Sequence, residues 1–356
     1  MLTTTSKLVE KISAKIVSKV WEPTHCKIRD IPLRRKLEIN SMKEAVVAYY
    51  DSRNLGDEVQ TIAALNLINN DKALILDREK LNTFKSEGKV KLLCNGWFMH
   101  EPENWPPSQD IEPYFTSFHV AKFKEVRQKL ITPELTDYYK QYEPIGCRDH
   151  NTVKLFKSIG VDAYYSGCVT LTLPKYEGER NDKIVVTDLF YDGLLSEKYA
   201  KKVVHKLIPK KYHHRIQMMT HTRENRELPI DKKIEEAQEY LDTYAQAGLV
   251  ITSRIHCALP CLAMGTPVIF FDFGYAKKYD KYRFEGIKNL FNTVRPNLPL
   301  HENRNIDKFF KMLGVHRLFY PFIKPLDIDW ENPPENPKDY QPIAEEIKRR
   351  FKENFR

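Results

Sequence analysis

The residues of this chain with the clearest chemical potential are an arginine and a histidine two positions apart. They lie in Thr252-Ser253-Arg254-Ile255-His256, between an apolar run and a helical pattern. In extended chain, Arg254 and His256 would share a face while Ile255 points into the core. A guanidinium beside an imidazole at a helix N-terminus suits phosphate or carboxylate binding coupled to proton transfer. The less favoured alternative is structural, an interdomain salt bridge and a capping histidine.

A second candidate is the loop from Asp51 to Asp57, between an apolar strand and a helix. Gly56 permits a tight turn, and free N–H groups at the start of the helix could face an anion. We expect Asn54 and the loop backbone to contact the ligand. The chain has neither GxGxxG nor GxxxxGK, so a nucleotide site is only weakly indicated. For Asp57 alone, helix capping is the favoured interpretation.

Two further candidates follow predicted strands elsewhere in the first half of the chain. His119 follows a strand end where its ring would point into the cleft, although a single histidine in this setting is more often structural. Arg148 lies in Gly146-Cys147-Arg148-Asp149. It is a candidate to bind an anion, and an ion pair with Asp149 or another carboxylate is supported about equally.

The elements that must position these residues alternate between β-rich runs and helical patterns, which predicts an α/β protein with parallel sheets. Ligands of such sheets bind outside the carboxyl ends of the strands. The series divides into domains 44–175 and 182–300, flanked by an arm, 1–43, and a helical tail, 301–356. The predicted strands lie near 45–50, 73–76, 90–94, 116–120, 145–147, 163–165, 184–187, 216–220, 249–252 and 268–271. The helices predicted in the second half lie near 197–207, 232–246, 257–264, 306–313 and 343–355.

Composition indicates a globular protein that stays inside the cell. Apolar residues make up 42% and charged residues 29% of 356 positions, and the N-terminus lacks the features of a secretory signal. The longest apolar stretch, 258–271, is interrupted by Pro260, Gly265 and Pro267, so no membrane span is expected. Six cysteines without CxxC spacing are interpreted as reduced core residues. No metal site is predicted, and the predicted location is cytoplasmic.

Charge is concentrated in the N-terminal arm. The first 43 residues carry ten Lys or Arg and four Asp or Glu, out of a net charge of +9 for the chain. A nearly balanced body argues against nucleic-acid binding. From Ser6 to Trp21, apolar residues recur at helical spacing opposite a stripe of lysines. This predicts an amphipathic helix that either packs on the body, the favoured alternative, or contacts a partner or the periphery of an anionic membrane.

Several segments together resemble the polysaccharide pyruvyl transferase family, in matching order from about Val46 to Phe271. The last is the most specific. They are Asn54-Leu55-Gly56-Asp57, Gly146-Cys147-Arg148-Asp149 with the following Gly160-Val161, Ser166-Gly167-Cys168-Val169, and Leu249 to His256 continued by Gly265-Thr266-Pro267-Val268-Ile269.

The resemblance implies two Rossmann-like domains in a GT-B-like arrangement. It also implies transfer of the enolpyruvyl group of phosphoenolpyruvate to a saccharide, forming a pyruvate ketal and releasing phosphate. No metal and no cofactor beyond this donor are implied. Arg148, Arg254 and His256 would hold the donor's phosphate and carboxylate, and His119 would be a further donor-site residue.

The chemistry requires an acid for the methylene carbon and a base for the sugar hydroxyl. We predict His256 as the acid and His119 or Asp57 as the base. The predicted substrate-binding residues are Arg148, Arg254, Ile255, Asn54 and Gly56, and Arg148, Arg254 and His256 are expected to meet in one interdomain pocket. The alternatives are a GT-B glycosyltransferase using a nucleotide sugar, and a catalytically degenerate binding protein that docks an acidic partner through its basic arm.

Overall fold

The computed structural model describes residues 42–189, 197–272, 284, 286–295, 309, 312–314 and 323–356. The predicted amphipathic helix of the N-terminal arm lies outside the described residues, as does most of the helix expected near 306–313. In the part that is described, no helix is long and apolar enough to cross a membrane.

The first half of the chain folds around a parallel sheet of six strands in the order β2-β1-β3-β4-β5-β6. Its strands are β1 (Lys43–Ala48), β2 (Leu74–Asp77), β3 (Val90–Phe98), β4 (Ile111–Val120), β5 (Ile145–Cys147) and β6 (Ala163–Tyr165). The α-helices are α1 (Gly56–Ile68), α2 (Lys124–Leu130), α3 (Pro133–Lys140) and α4 (His150–Ser158). Short 3-10 helices lie at Arg78–Thr83, Pro102–Asn104 and Val169–Thr172.

The second half forms a parallel sheet of five strands in the order β11-β10-β9-β7-β8. Its strands are β7 (Ile184–Thr187), β8 (Ile216–Met219), β9 (Leu249–Thr252), β10 (Val268–Phe271) and β11 (Asn292–Val294). The helices are α5 (Glu197–Leu207), α6 (Ile230–Gln246) and α7 (Ile255–Met264), with 3-10 helices at Lys210–Arg215 and Lys288–Leu290. The central strands β7, β9 and β10 are buried throughout, as expected for apolar strands covered on both faces.

One apolar core joins the two sheets. Val59 and Ile62 of α1 belong to the same buried cluster as Leu241 of α6 and Leu259 of α7. At about 25 cal/mol per Å² of buried apolar surface, such a contact stabilises the relative position of the sheets. The α/β prediction with two parallel sheets is therefore confirmed.

The C-terminal helix α8 (Gln341–Asn354) returns to the first sheet. Phe351 and the following Phe355 are buried in a cluster with Val46 of β1 and Leu93 of β3. Their rings also contact Tyr114 at centroid distances of 6.3 and 5.7 Å. The predicted helix of the tail therefore packs on the first half of the molecule.

Several elements have the predicted bounds, namely β5, β6, β7, β9, β10 and α5. The sequence prediction placed strands only at 90–94 and 116–120, whereas β3 and β4 are longer because they pair over most of their length. Pro113 lies inside β4, where a proline usually argues against a strand. The short strand β11 was not predicted. Pro260 lies inside α7.

Candidate functional site

A cavity of about 610 Å³ lies between the two sheets. In open parallel sheets, a ligand crevice forms where the strand order reverses, which here is between β1 and β3 and between β7 and β9. The segments that end β1, β3 and β9 all contribute to the wall. The lining residues are Tyr49, Asp51, Ser52, Arg53, Asn54, Asp57, Arg78, Trp97, His100, Phe123, Arg148, His221, Arg226, Ser253, Arg254, Ile255, His256 and Phe284.

Arg148 enters the cavity from the end of β5. Arg148 is almost fully buried, at 2% exposure, and its backbone N–H donates to the carbonyl of Phe118 at 2.9 Å. The next residue, Asp149, caps α4 by accepting from the N–H of Thr152 at 2.9 Å. Arg148 therefore places a buried positive charge at the cavity wall.

Behind Arg148, His119 contacts Asp149 instead of the cavity. The His119 Nδ1 to Asp149 Oδ2 distance is 2.5 Å, and both residues are fully buried. Burial raises the pKa of Asp149, but the charge and hydrogen bond of His119 outweigh it and leave that pKa below its ordinary value. The expectation that the His119 ring points into the cleft is corrected, because the strand turns it inward.

The inward orientation of His119 has a local cause in β4. The register moves from Cys94 opposite Phe115 to Gly96 opposite Phe118, so β4 carries one extra residue. Ser117 within this bulge has a φ of 55°. An extra residue reverses the alternation of side chains, which turns His119 to the other face.

Arg254 is oriented by two residues of its own half of the molecule. Its Nε donates to Asp188 Oδ2 at 3.0 Å, and its Nη2 donates to Thr222 Oγ1 at 3.3 Å. Asp188 directly follows β7 and also accepts from the N–H of His221. Arg254 therefore forms a salt bridge with Asp188, which belongs to the same half of the molecule. Arg254 also lines the cavity.

His256 lies where the N-termini of two helices meet. It is the second residue of α7, and a Cβ added to Gly56 at the start of α1 would lie 2.9 Å from His256 Cβ and 3.1 Å from its Nδ1. Only glycine therefore permits this approach. The positive ends of both helices favour a bound anion beside the imidazole.

Asn54, and not Asp57, bonds the start of α1. Asn54 Oδ1 accepts from the N–H of Gly56 at 3.3 Å, whereas Asp57 Oδ2 accepts from the hydroxyl of Ser52 at 2.6 Å. The interpretation of Asp57 as a helix cap is therefore wrong. Its carboxylate lies in the cavity wall and could take a proton there.

Six of the eight predicted site residues line the cavity, namely Asn54, Asp57, Arg148, Arg254, Ile255 and His256. Gly56 lies directly against His256, and only His119 lies behind the wall. Five arginines and two aspartates occur among the described lining residues, so the cavity attracts anions.

Aromatic side chains also line the cavity and form a wall, which was not predicted from the sequence. It consists of Tyr49, Trp97, His100 and Phe123. His100 stacks on Tyr49 at a centroid distance of 4.6 Å and lies 4.5 Å from Trp97. Phe123 is 48% exposed and contacts Trp97 at 6.3 Å. Gly96, with a φ of 101° at the register shift, bends β3 just before Trp97.

Arg78 packs against two rings of the aromatic wall, Tyr49 and Trp97. Its guanidinium lies 4.5 Å from the centroid of Tyr49, and its Nε donates to Glu79 at 2.8 Å. Burial alone would raise the pKa of Glu79, but the hydrogen bond from His100 and the charge of Arg78 lower it to about 2. Glu79 is therefore ionised at neutral pH and holds Arg78 in place. Because Arg78 directly follows β2, its position after a predicted strand was a signal that could have revealed it.

Buried charges tie the cavity loop of the first half to the second half. Arg223 donates to Glu58 at 3.3 Å and to Glu236 at 2.6 Å, and the Lys233 ammonium donates to the carbonyl of Tyr50 at 2.5 Å. Burial, together with Asp57, raises the pKa of Glu58 to about 8, although Arg223 opposes the shift. These contacts fix the loop that carries Asn54 and Asp57.

No group of three or more potential metal ligands occurs among the described residues. Comparisons with known proteins identify a family and show similarity to solved structures. The family model described as polysaccharide pyruvyl transferase matches residues 54–275. The chain is similar to the structure of a functionally uncharacterised protein, KP1_0663, from Klebsiella pneumoniae, with 12% identity and a TM-score of 0.37. That similarity covers 72% of this chain and 92% of the other. No curated protein matches the chain.

Proposed function

The chain belongs to the polysaccharide pyruvyl transferase family, and we propose that it transfers the enolpyruvyl group of phosphoenolpyruvate to a saccharide, with a pyruvate ketal and phosphate as products. One observation carries the proposal. Arg148 from the first sheet and Arg254 and His256 from the second line the same cavity. A GT-B-like arrangement of the two sheets is part of the same proposal.

The donor is a compact polyanion that needs fixed cations to replace its water. Arg148 supplies a buried guanidinium at 2% exposure, and Arg254 supplies one oriented by Asp188. The positive end of α7 favours an anion beside His256, the second residue of that helix. These groups together suit the phosphate and carboxylate of phosphoenolpyruvate.

Ketal formation proceeds in two balanced steps in this proposal. A saccharide hydroxyl bonds to the central carbon of the donor while the methylene carbon gains a proton and becomes a methyl group. A second hydroxyl then bonds to the same carbon as the carbon–oxygen bond to phosphate breaks. One hydroxyl proton replaces the proton given to the methylene carbon, and the other leaves with phosphate.

His256 is the proposed acid for the methylene carbon, and Asp57 is the proposed base for the hydroxyl. Both line the cavity, and Gly56, which directly precedes Asp57 in the chain, packs closely against His256. The alternative base, His119, is hydrogen-bonded to Asp149 and has no exposed surface. We assign His119 a positioning role, in which it holds Asp149 and thereby the turn that carries Arg148.

The test combines donor binding with turnover. Phosphoenolpyruvate should raise the Tm of the wild type, and phosphate should be released from it when a saccharide acceptor is added. Arg254→Lys should lose tenfold or more in donor affinity, because lysine cannot reproduce a bidentate contact. Arg349→Lys is the matched control, at a surface arginine that pairs with Glu346. It should change neither donor affinity nor phosphate release.

His256→Ala separates binding from chemistry. It should reduce phosphate release by roughly 100-fold or more, the typical contribution of a general acid. Full turnover by this variant would refute the acid role. Release of nucleotide from nucleotide sugars, without any response to phosphoenolpyruvate, would instead support a glycosyltransferase.

A further inference from the structure

One part of the cavity is lined mainly by aromatic side chains. The aromatic wall of Tyr49, Trp97, His100 and Phe123 lies on the first half of the molecule. His100 and Phe123 are about half exposed, at 49% for the His100 side chain and 48% for Phe123. Burying aromatic rings lowers the free energy, so their exposure at a cavity points to a ligand with an apolar face.

A small side pocket adjoins the aromatic wall. Its volume is about 10 Å³, and it shares Tyr49, Asp57 and Arg78 with the main cavity. This volume is close to the lower limit for one water-sized group. Gln60 and Asn95 also line it, at 3% and 2% exposure.

Two buried oxygens in this side pocket have unused hydrogen-bonding capacity. Gln60 Oε1 and Asn95 Oδ1 accept no hydrogen bond from any residue that the structure describes. The amide nitrogen of Gln60 is used, since it donates to the carbonyl of Gly56 at 3.2 Å. A buried acceptor without a donor costs about 1 to 3 kcal/mol, so such atoms usually serve a ligand or water.

The chemistry of these groups selects one class of ligand. Carbonyl oxygens and the Asp57 carboxylate are acceptors, so they require a ligand that donates hydrogen bonds. Aromatic rings next to them require an apolar face on the same ligand. A pyranose ring offers both, with C–H groups on one face and hydroxyl donors around the edge.

We propose that the aromatic wall and the side pocket with Gln60 and Asn95 form the subsite for the saccharide acceptor. One ring face stacks on Trp97, and a hydroxyl enters the side pocket. Asp57 lines both the side pocket and the main cavity, so it is placed to act on a hydroxyl directed at the donor. This inference rests on the proposed function.

The experiment titrates methyl β-galactoside, methyl β-glucoside and methyl β-mannoside into the full chain by saturation-transfer NMR, with UDP as a separate arm. At least one glycoside should bind the wild type. Trp97→Ala should weaken that binding by about tenfold, and Trp97→Phe should restore most of it. Each variant should keep its Tm increase with phosphoenolpyruvate.

Gln60→Met tests the side pocket with a readout that a purely structural role would not give. It should weaken glycoside binding by about tenfold, yet leave the Tm of the free protein within ~3 °C of the wild type or above it, because a buried unsatisfied oxygen is removed. The matched control is Asn66→Leu on the same helix. Asn66 donates to the carbonyl of Ile62 in the same i to i−4 geometry, outside the cavity. This control should not change glycoside affinity.

Three results would overturn the inference. They are a wild type that binds phosphoenolpyruvate but no glycoside, glycoside affinity unchanged in Trp97→Ala and Gln60→Met, and UDP binding that depends on Trp97. Glycoside binding that depends on both residues, without any response to phosphoenolpyruvate, would support the subsite and count against the proposed donor. Failure of the subsite and failure of the proposed function are thus distinguishable.

Discussion

Glu58→Gln should change how stability depends on pH, because Glu58 is buried at the junction of the two halves. Its carboxyl is 1% exposed and lies 3.3 Å from Arg223. Burial first, and then the neighbouring Asp57, raise the pKa of Glu58 from 4.5 to about 8. Glutamine keeps the shape of the protonated side chain but cannot ionise.

The sign of the effect follows from proton binding. Between pH 4.5 and about 8 the folded protein holds a proton on Glu58 that the unfolded chain has released, so stability falls as pH rises. One pH unit in this window corresponds to about 1.4 kcal/mol. The free energy of unfolding of the wild type should therefore fall by up to about 4 kcal/mol relative to Glu58→Gln between pH ~5 and ~8.

The assay is denaturant unfolding of both proteins across this range, plotted as the difference in free energy of unfolding. The difference cancels titration of other groups. Glu236, whose side chain is 32% exposed, is the other carboxylate that contacts Arg223. Glu236→Gln should leave the pH dependence of the free energy of unfolding as in the wild type. A difference between the wild type and Glu58→Gln that stays flat with pH would refute the reasoning.

Three further predictions follow from contacts described above. Gly56→Ala places a Cβ 2.9 Å from His256 Cβ and should reduce phosphate release tenfold or more, whereas Gly88→Ala, with no atom within 4 Å of its added Cβ, should match the wild type. Phe351→Ala should destabilise the protein by about 3 to 5 kcal/mol in denaturant unfolding, while the exposed neighbour Lys352→Ala should cost under about 0.5 kcal/mol; equal values would show that α8 does not pack as described. Asp149→Asn should lower the free energy of unfolding by roughly 3 kcal/mol at neutral pH and weaken donor binding. Because the pKa of Asp149 is lowered, the extra stability of the wild type should be present above pH 3.8 and disappear as the pH falls further. A difference in free energy of unfolding that stays constant with pH would contradict this.

Much of the second sheet was predictable because its strands are short apolar runs between turns. β7, β9 and β10 are buried at every position, and their sequences stop being apolar where the strands end. β4 was harder, since Pro113 and Ser117 interrupt its pattern. The pairing of β4 with β3 over most of its length outweighs these local signals.

The candidate site shows the same limit. Arg148, Arg254 and His256 could be selected from the sequence because each follows a predicted strand. The orientation of His119 could not, since it depends on one extra residue in β4 that becomes visible only from the register with β3. The aromatic wall joins Tyr49, which follows β1, with residues in or after β3 and after β4, and no local pattern shows that they meet.

The return of α8 to the first sheet has a consequence for synthesis on the ribosome. Val46 and Leu93 are made early, but Phe351 and Phe355, which cover them, follow only after the second sheet. At ~5 to 20 residues per second, translation from β6 to α8 takes roughly 10 to 35 s. During that time an apolar face of the nascent first sheet remains uncovered, so holdase chaperones should bind the growing chain there and dissociate once α8 emerges.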